Sequence, residues 1–258
     1  MKYSIKGFLK TLYLLVMNDK IISYWDNDAT GYNKNNISGY ASQKKIWRDI
    51  LKDPLGEGHL NVLDVGTGPG IVAFVLSEMG HNVTGIDLSE RMLQYARANA
   101  ASLGLKATFQ RGDAENIPFV DESFDVVINR YVLWTLSQPE KAISEWHRVL
   151  KPGGRVIIID GNWYTGTSLK KKLWRALASP LIMATERRNL WLNDFDLNVK
   201  NKLPLAKEKR PEKDIELLKR VSFRNISQKI ISVNRTSSFF GYIKRGYWGD
   251  SFMVQGIK

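Results

Sequence analysis

Three carboxylates hold comparable places in the sequence: Asp64 in "NVLDVGTGPG", Asp87 in "GIDLS" and Asp113 in "RGDAENIPF". Each closes an apolar run of strand type, and the first is followed by Gly66, Gly68 and Gly70. In open parallel sheets ligands sit beyond the carboxyl ends of the strands, where a glycine-rich first turn lets the backbone approach them closely. A dinucleotide fingerprint of the G-x-G-x-x-G form needs a third glycine where Ile71 stands, and a phosphate loop needs a Gly-Lys-Ser/Thr that does not follow. The D-x-G-x-G-x-G form present suits a ligand without phosphates, carrying an ammonium group that Asp64 attracts. Asp87 stands at the spacing from the glycine turn at which a carboxylate accepts from both hydroxyls of a ribose. Asp113 is placed to accept from an adenine amino group.

Three acids at three strand ends require a sheet that presents those ends side by side. Strands are read at "NVLDV", "NVTGID", "ATFQRGD", "FDVVIN" and "RVIIID", with helices over 71–79, 89–103 and 139–150. Continuous apolar strands alternating with helices predict an α/β fold with a parallel sheet covered on both faces. Ser89 and the Pro139-Glu140 pair mark helix starts. Upstream, residues 41–51 have helical spacing that "DPLGEG" breaks. The first twenty residues read as a short amphipathic helix packed on the main domain, with contact to a membrane surface as the alternative. Past Asp160 the rhythm fails for about fifty residues, and "VSFRNISQKIIS" and "SSFFGYIKRGYWGDSFMVQGIK" then read as two final strands. The expected organisation is a helical leader or lid (1–50), a ligand-binding α/β core (51–161), a basic helical cap (162–213) and strands that complete the sheet (214–258).

The stretches "VLDVGTGPG", "VTGIDLSERML", "GDAENIPF", "FDVVINRYVLWTL" and "EWHRVLKPGGRVIIIDGNW" resemble, in this order, the motifs of class I S-adenosylmethionine-dependent methyltransferases. The leader "YWDNDATGYN" resembles that of the type 11 subgroup related to ubiquinone and menaquinone methylation, although Asp28 and Asn33 stand where many relatives carry Arg and Asp. The resemblance implies a Rossmann-like fold with a mostly parallel seven-stranded sheet and S-adenosyl-L-methionine as cofactor. It places Asp64, Gly66, Thr67, Gly68 and Gly70 around the methionyl part and Asp87 on the ribose. Leu88 and Met92 would sandwich the adenine, with Asp113 and Ala114 reading its edge. Asn129 and Arg130 would lie nearest the sulfonium, and Tyr32 would close over the cofactor from the leader.

The acceptor is less defined. The chain has no cysteine, which excludes thiolate metal sites and cysteine-adduct methylation of pyrimidines. The "NRYV" after the fourth strand is not the Asn/Asp-Pro-Pro-aromatic signature of amino-directed nucleic-acid enzymes. Net charge is +12, and residues 162–213 hold twelve Lys or Arg against five acids. That surplus favours an anionic small-molecule acceptor; an RNA methyltransferase and a catalytically silent cofactor-binding partner are the alternatives. Arg130, Tyr131, Trp134 and Trp163, with Tyr164, are the candidates for the acceptor pocket. His147, His59 and His81 fall away from the ligand edge, and no metal site is expected. A cytoplasmic protein is expected, since no cleavage site or apolar run of membrane length appears.

Overall fold

The computed structural model describes residues 5–162, 169–186, 201–231 and 251–258. Seven strands form one sheet: β1 (Asn61–Val65), β2 (Asn82–Asp87), β3 (Thr108–Arg111), β4 (Phe124–Arg130), β5 (Leu150–Gly161), β6 (Arg224–Ile231) and β7 (Ser251–Ile257). Their order is β3-β2-β1-β4-β5-β7-β6, with β7 antiparallel to both neighbours and the pairs from β3 to β5 parallel. The order reverses between β1 and β4, so the strand-end crevice of the parallel part opens there.

The apolar runs are continuous because both faces are buried. One face packs Val62, Val126, Ile128, Ile157 and Ile159 against helices α2 (Tyr40–Leu55), α3 (Ile71–Glu78) and α4 (Glu90–Leu103). The other packs Leu63, Val127, Val156 and Ile158 against α5 (Pro139–Val149) and the later helix α7 (Glu212–Arg220). Ser89 caps α4 by accepting from the Met92 N–H at 3.1 Å, and Pro139 opens α5 in the first turn.

The leader differs from the short amphipathic helix expected. Helix α1 (Ile5–Ile37) runs 33 residues, straight through the polar stretch before Gly39. That stretch has no apolar stripe because it docks by polar contacts on α4: Asp26 on Ser89, Thr30 on Tyr95 and Asn33 on Asn99. Helix α2 likewise continues past residue 51, with Pro54 in its last turn, so the 50/51 boundary falls inside it. In the cap, α6 (Leu169–Glu186) is followed by residues 201–211, and α7 begins at Glu212, just ahead of the boundary drawn at 213.

Candidate functional site

The turn after β1 explains its glycines. Gly66 and Gly68 have φ of +65° and +55°, the left-handed region that side chains disfavour. A Cβ on Gly66 would also lie 2.3 Å from Val132 Cγ2, so the residues after β4 press directly on the turn. At Gly68 the space is open apart from Tyr32, 3.7 Å away, and its N–H donates to Asp87 Oδ2 at 2.9 Å. The Thr67 N–H holds the turn to β2 through Ile86 O.

A cleft of about 830 Å³, counted to its open mouth, lies at this edge of the sheet. Its wall brings together Asp64, Gly66, Thr67 and Gly68 from the first turn, Asp87, Leu88 and Met92 from the second, and Arg130 and Tyr131 beyond β4. Trp25 and Tyr32 of α1 close it from above, their rings edge to face at 5.7 Å. Ala114 lines the cleft beside Gly112.

Two carboxylates on this wall are electrostatically frustrated. Burial pushes the Asp64 carboxyl up to about 7, against the opposing pull of a 2.7 Å hydrogen bond from Thr67 Oγ1 and of the nearby Arg130 charge. Burial likewise pushes Asp87 up to about 6, although it accepts from the backbone N–H groups of Ser89 and Gly68. Buried carboxylates without a matching cation favour their neutral forms, and a positively charged ligand restores ionisation. Arg130 Nη2 donates to Asn36 Oδ1 at 3.1 Å, and Asn36 Nδ2 donates to the Tyr32 carbonyl. Its guanidinium also lies 5.3 Å from the Trp47 ring and 5.1 Å from that of Tyr131. Arg130 thus fastens α1, α2 and β4 together at the cleft.

Asn129 is fully buried at the end of β4, and neither its amide nitrogen nor its oxygen has a partner among the described residues. Asn129, expected beside the sulfonium, is not among the residues that line the cleft; an open glycine turn and two buried carboxylates with raised pKa values on the wall fit a ligand with an ammonium or sulfonium centre and a diol. Similarity to known proteins points the same way. The family model described as "Methyltransferase domain" matches residues 63–158. Residues 63–158 thus match a methyltransferase domain, and the fold around them is that of class I S-adenosylmethionine-dependent methyltransferases.

Relatives of that domain include the demethylmenaquinone methyltransferases of Renibacterium salmoninarum and Thermus thermophilus. The first is 31% identical over 55% of this chain and 59% of its own length, the second 39% over 49% and 58%. The chain therefore spans just under three-fifths of the length of these relatives. Among solved structures, a candidate S-adenosyl-L-methionine-dependent methyltransferase from Methanococcus maripaludis superposes with a TM-score of 0.60 at 20% identity, over 90% of this chain and 93% of its own, which shows a shared fold.

Not every residue singled out in the sequence reaches the wall of the cleft. Asp113 sits between two lining residues, and its Oδ1 accepts from the Glu115 N–H at 2.8 Å within its own turn. Gly70 lies behind the wall as the left-handed residue opening α3, packed against Phe74. Trp134 is not on the wall either: it packs with Met17, Ile21, Leu203 and Ala206 beneath α1. Trp163 and Tyr164 lie outside the described residues. Sequence reading missed Ile21 and Ile22, which line the cleft one turn before Trp25, and Val132, Thr135 and Leu136 after β4. The signal for the first pair was present, since residues 21, 22 and 25 share a helical face.

Proposed function

We propose that the protein transfers the methyl group of S-adenosyl-L-methionine to a small-molecule acceptor bound between the cleft and the cap. The observation that carries this reading is the cleft itself: Asp64 and Asp87 converge on one space with a backbone turn shaped for close approach, under an aromatic lid. When bound, the cofactor supplies an activated methyl on a sulfonium, open to in-line displacement. The chain's residues then have mainly to bind, align and keep water out. In the proposed arrangement Asp64 holds the ammonium of the methionyl part and Asp87 the ribose diol. Leu88 and Met92 flank the adenine, while Tyr32 and Trp25 exclude solvent from above. Tyr131 has φ +65°, and its hydroxyl lies 3.2 Å from Ser251 Oγ, which holds it at the mouth on the acceptor side.

A small acceptor is favoured over RNA because part of the cap's charge is consumed internally. Arg210 is buried between two carboxylates, and Lys209 and Lys213 pair with Glu212 and Glu216. The relatives' name makes demethylmenaquinone the first acceptor to assay. The test is incubation of a metabolite extract, and of demethylmenaquinone separately, with methyl-labelled cofactor. Label in a small product supports the reading; label only in macromolecules, or none with bound cofactor, overturns it.

A further inference from the structure

No residue of α6 lines the cleft, so the proposed methyl transfer gives its exposed face no role. Helix α6 presents Leu169, Leu173 and Leu177 at 75%, 59% and 78% exposure, while Ala178, Ser179 and Ile182 on the same helix are buried. Side chains four apart lie on one helical face, so the three leucines form a continuous apolar stripe. Single exposed leucines are ordinary, but an aligned run of them marks a contact surface. Lys170, Lys171, Lys172 and Arg175 fall between the leucines in the sequence, and residues 162–185 contain no acid at all.

A second surface has the same composition. The amino-terminal half of α1 exposes Leu12, Leu15 and Val16, and residues 1–18 hold three lysines and no acid. The same helix reaches the cleft wall at Ile21 and Ile22. Lys202 of the cap lies 5.8 Å over the Tyr13 ring, which joins the cap to this part of α1. Among the described residues no helix is long and apolar enough to cross a membrane. Leucines flanked by lysines, with no acids, are instead the pattern of a helix that lies in an interface. A second copy of the chain is a poor occupant, because two acid-free basic surfaces repel. A surface bearing fixed negative charge over an apolar layer complements both features at once.

We propose that α6, aided by the exposed start of α1, docks the protein on an anionic lipid bilayer, with the leucines in the interfacial layer. The exposed start of α1 belongs to the same helix as the cleft residues Trp25 and Tyr32. The proposal goes beyond the methyl-transfer reading and is measured without turnover, so the two fail separately. The full chain is floated with vesicles of phosphatidylcholine alone or mixed with phosphatidylglycerol. It should co-float with the anionic vesicles only, and less as salt is raised. Changing Leu173→Glu and Leu177→Glu together should abolish flotation while cooperative melting is retained; Leu177→Glu alone serves if the pair unfolds. Each lysine near an anionic surface contributes about five-fold in partitioning, so replacing Lys170, Lys171 and Lys172 by Ser should weaken binding on the order of a hundred-fold. Absence of binding, equal binding to both vesicle types, or binding indifferent to the glutamates would overturn the proposal. So would a wild-type oligomer that the glutamates dissociate, which would make the stripe a subunit interface.

Discussion

At the scale of single residues the cleft trades stability for binding. Asp64 has a folded-state pKa near 7 against an ordinary 3.8, caused first by burial. A carboxyl raised in this way favours the fold fully below about pH 4, and that contribution is lost as pH rises through 7. The displacement corresponds to roughly 4 kcal/mol, as an order of magnitude, against the ligand-free fold at alkaline pH. Asp64→Asn keeps an acceptor for the Thr67 hydroxyl and removes the charge. It should therefore raise the ligand-free melting temperature by several degrees at pH 8, give no gain at pH 4, and weaken cofactor binding. Scanning calorimetry at the two pH values checks this; a lower melting temperature at pH 8 would contradict the assigned frustration. Arg130 offers a second test, since Lys keeps its charge but cannot stack on Trp47 and Tyr131 while bonding Asn36. Arg130→Lys should weaken cofactor binding about tenfold, on the scale of one hydrogen bond plus one ring contact. It should also speed hydrogen exchange in α1 near Tyr32 and Asn36. Unchanged exchange would show that Arg130 does not latch the lid.

At the scale of elements, the legible parts of the sequence were those governed by apolar periodicity and turn chemistry. The strands from "NVLDV" to "RVIIID", the α4 cap at Ser89 and the glycine turn all arise from local pattern, because burial on two faces and left-handed turns leave a direct mark on residue type. The course of α1 was not legible, because it is held by side-chain pairs to residues more than sixty positions away, such as Thr30 with Tyr95 and Asn33 with Asn99. Nor was the anchor of the cap. Arg210 donates to Asp160 at 2.7 Å and to Asp214 at 2.6 and 2.7 Å, all three side chains being buried, and Asn162 joins through the Arg210 backbone. In sequence Arg210 was one more charge in a basic run; in the fold it ties the carboxyl end of β5 to the start of α7. Removing it takes the shared cation from two buried carboxylates, so Arg210→Met should destabilise the protein by about 3–5 kcal/mol. Denaturant titration measures this, and a loss below about 1 kcal/mol would mean that the triad is solvated.

For the whole molecule, the sheet order places the strand-end crevice between β1 and β4, the glycine turn opens it, and α1 roofs it. That architecture hosts many chemistries, so function is decided by what the cleft binds rather than by the fold. In the proposed arrangement the two acids lining the cleft favour a cationic, diol-bearing ligand without phosphates. S-adenosyl-L-methionine meets it, and its demethylated product retains the ammonium and the ribose. NAD and ATP carry phosphates that this turn has no means to neutralise. The most direct measurement is titration calorimetry of the intact protein with these four compounds, repeated on Asp87→Ala. The expected result is comparable affinity for S-adenosyl-L-methionine and its product, no binding of NAD or ATP, and a loss of roughly 1.5–3 kcal/mol in the variant, the scale of charge-assisted hydrogen bonds. Failure of the wild type to bind S-adenosyl-L-methionine, or binding indifferent to the loss of Asp87, would contradict the assignment of this cleft.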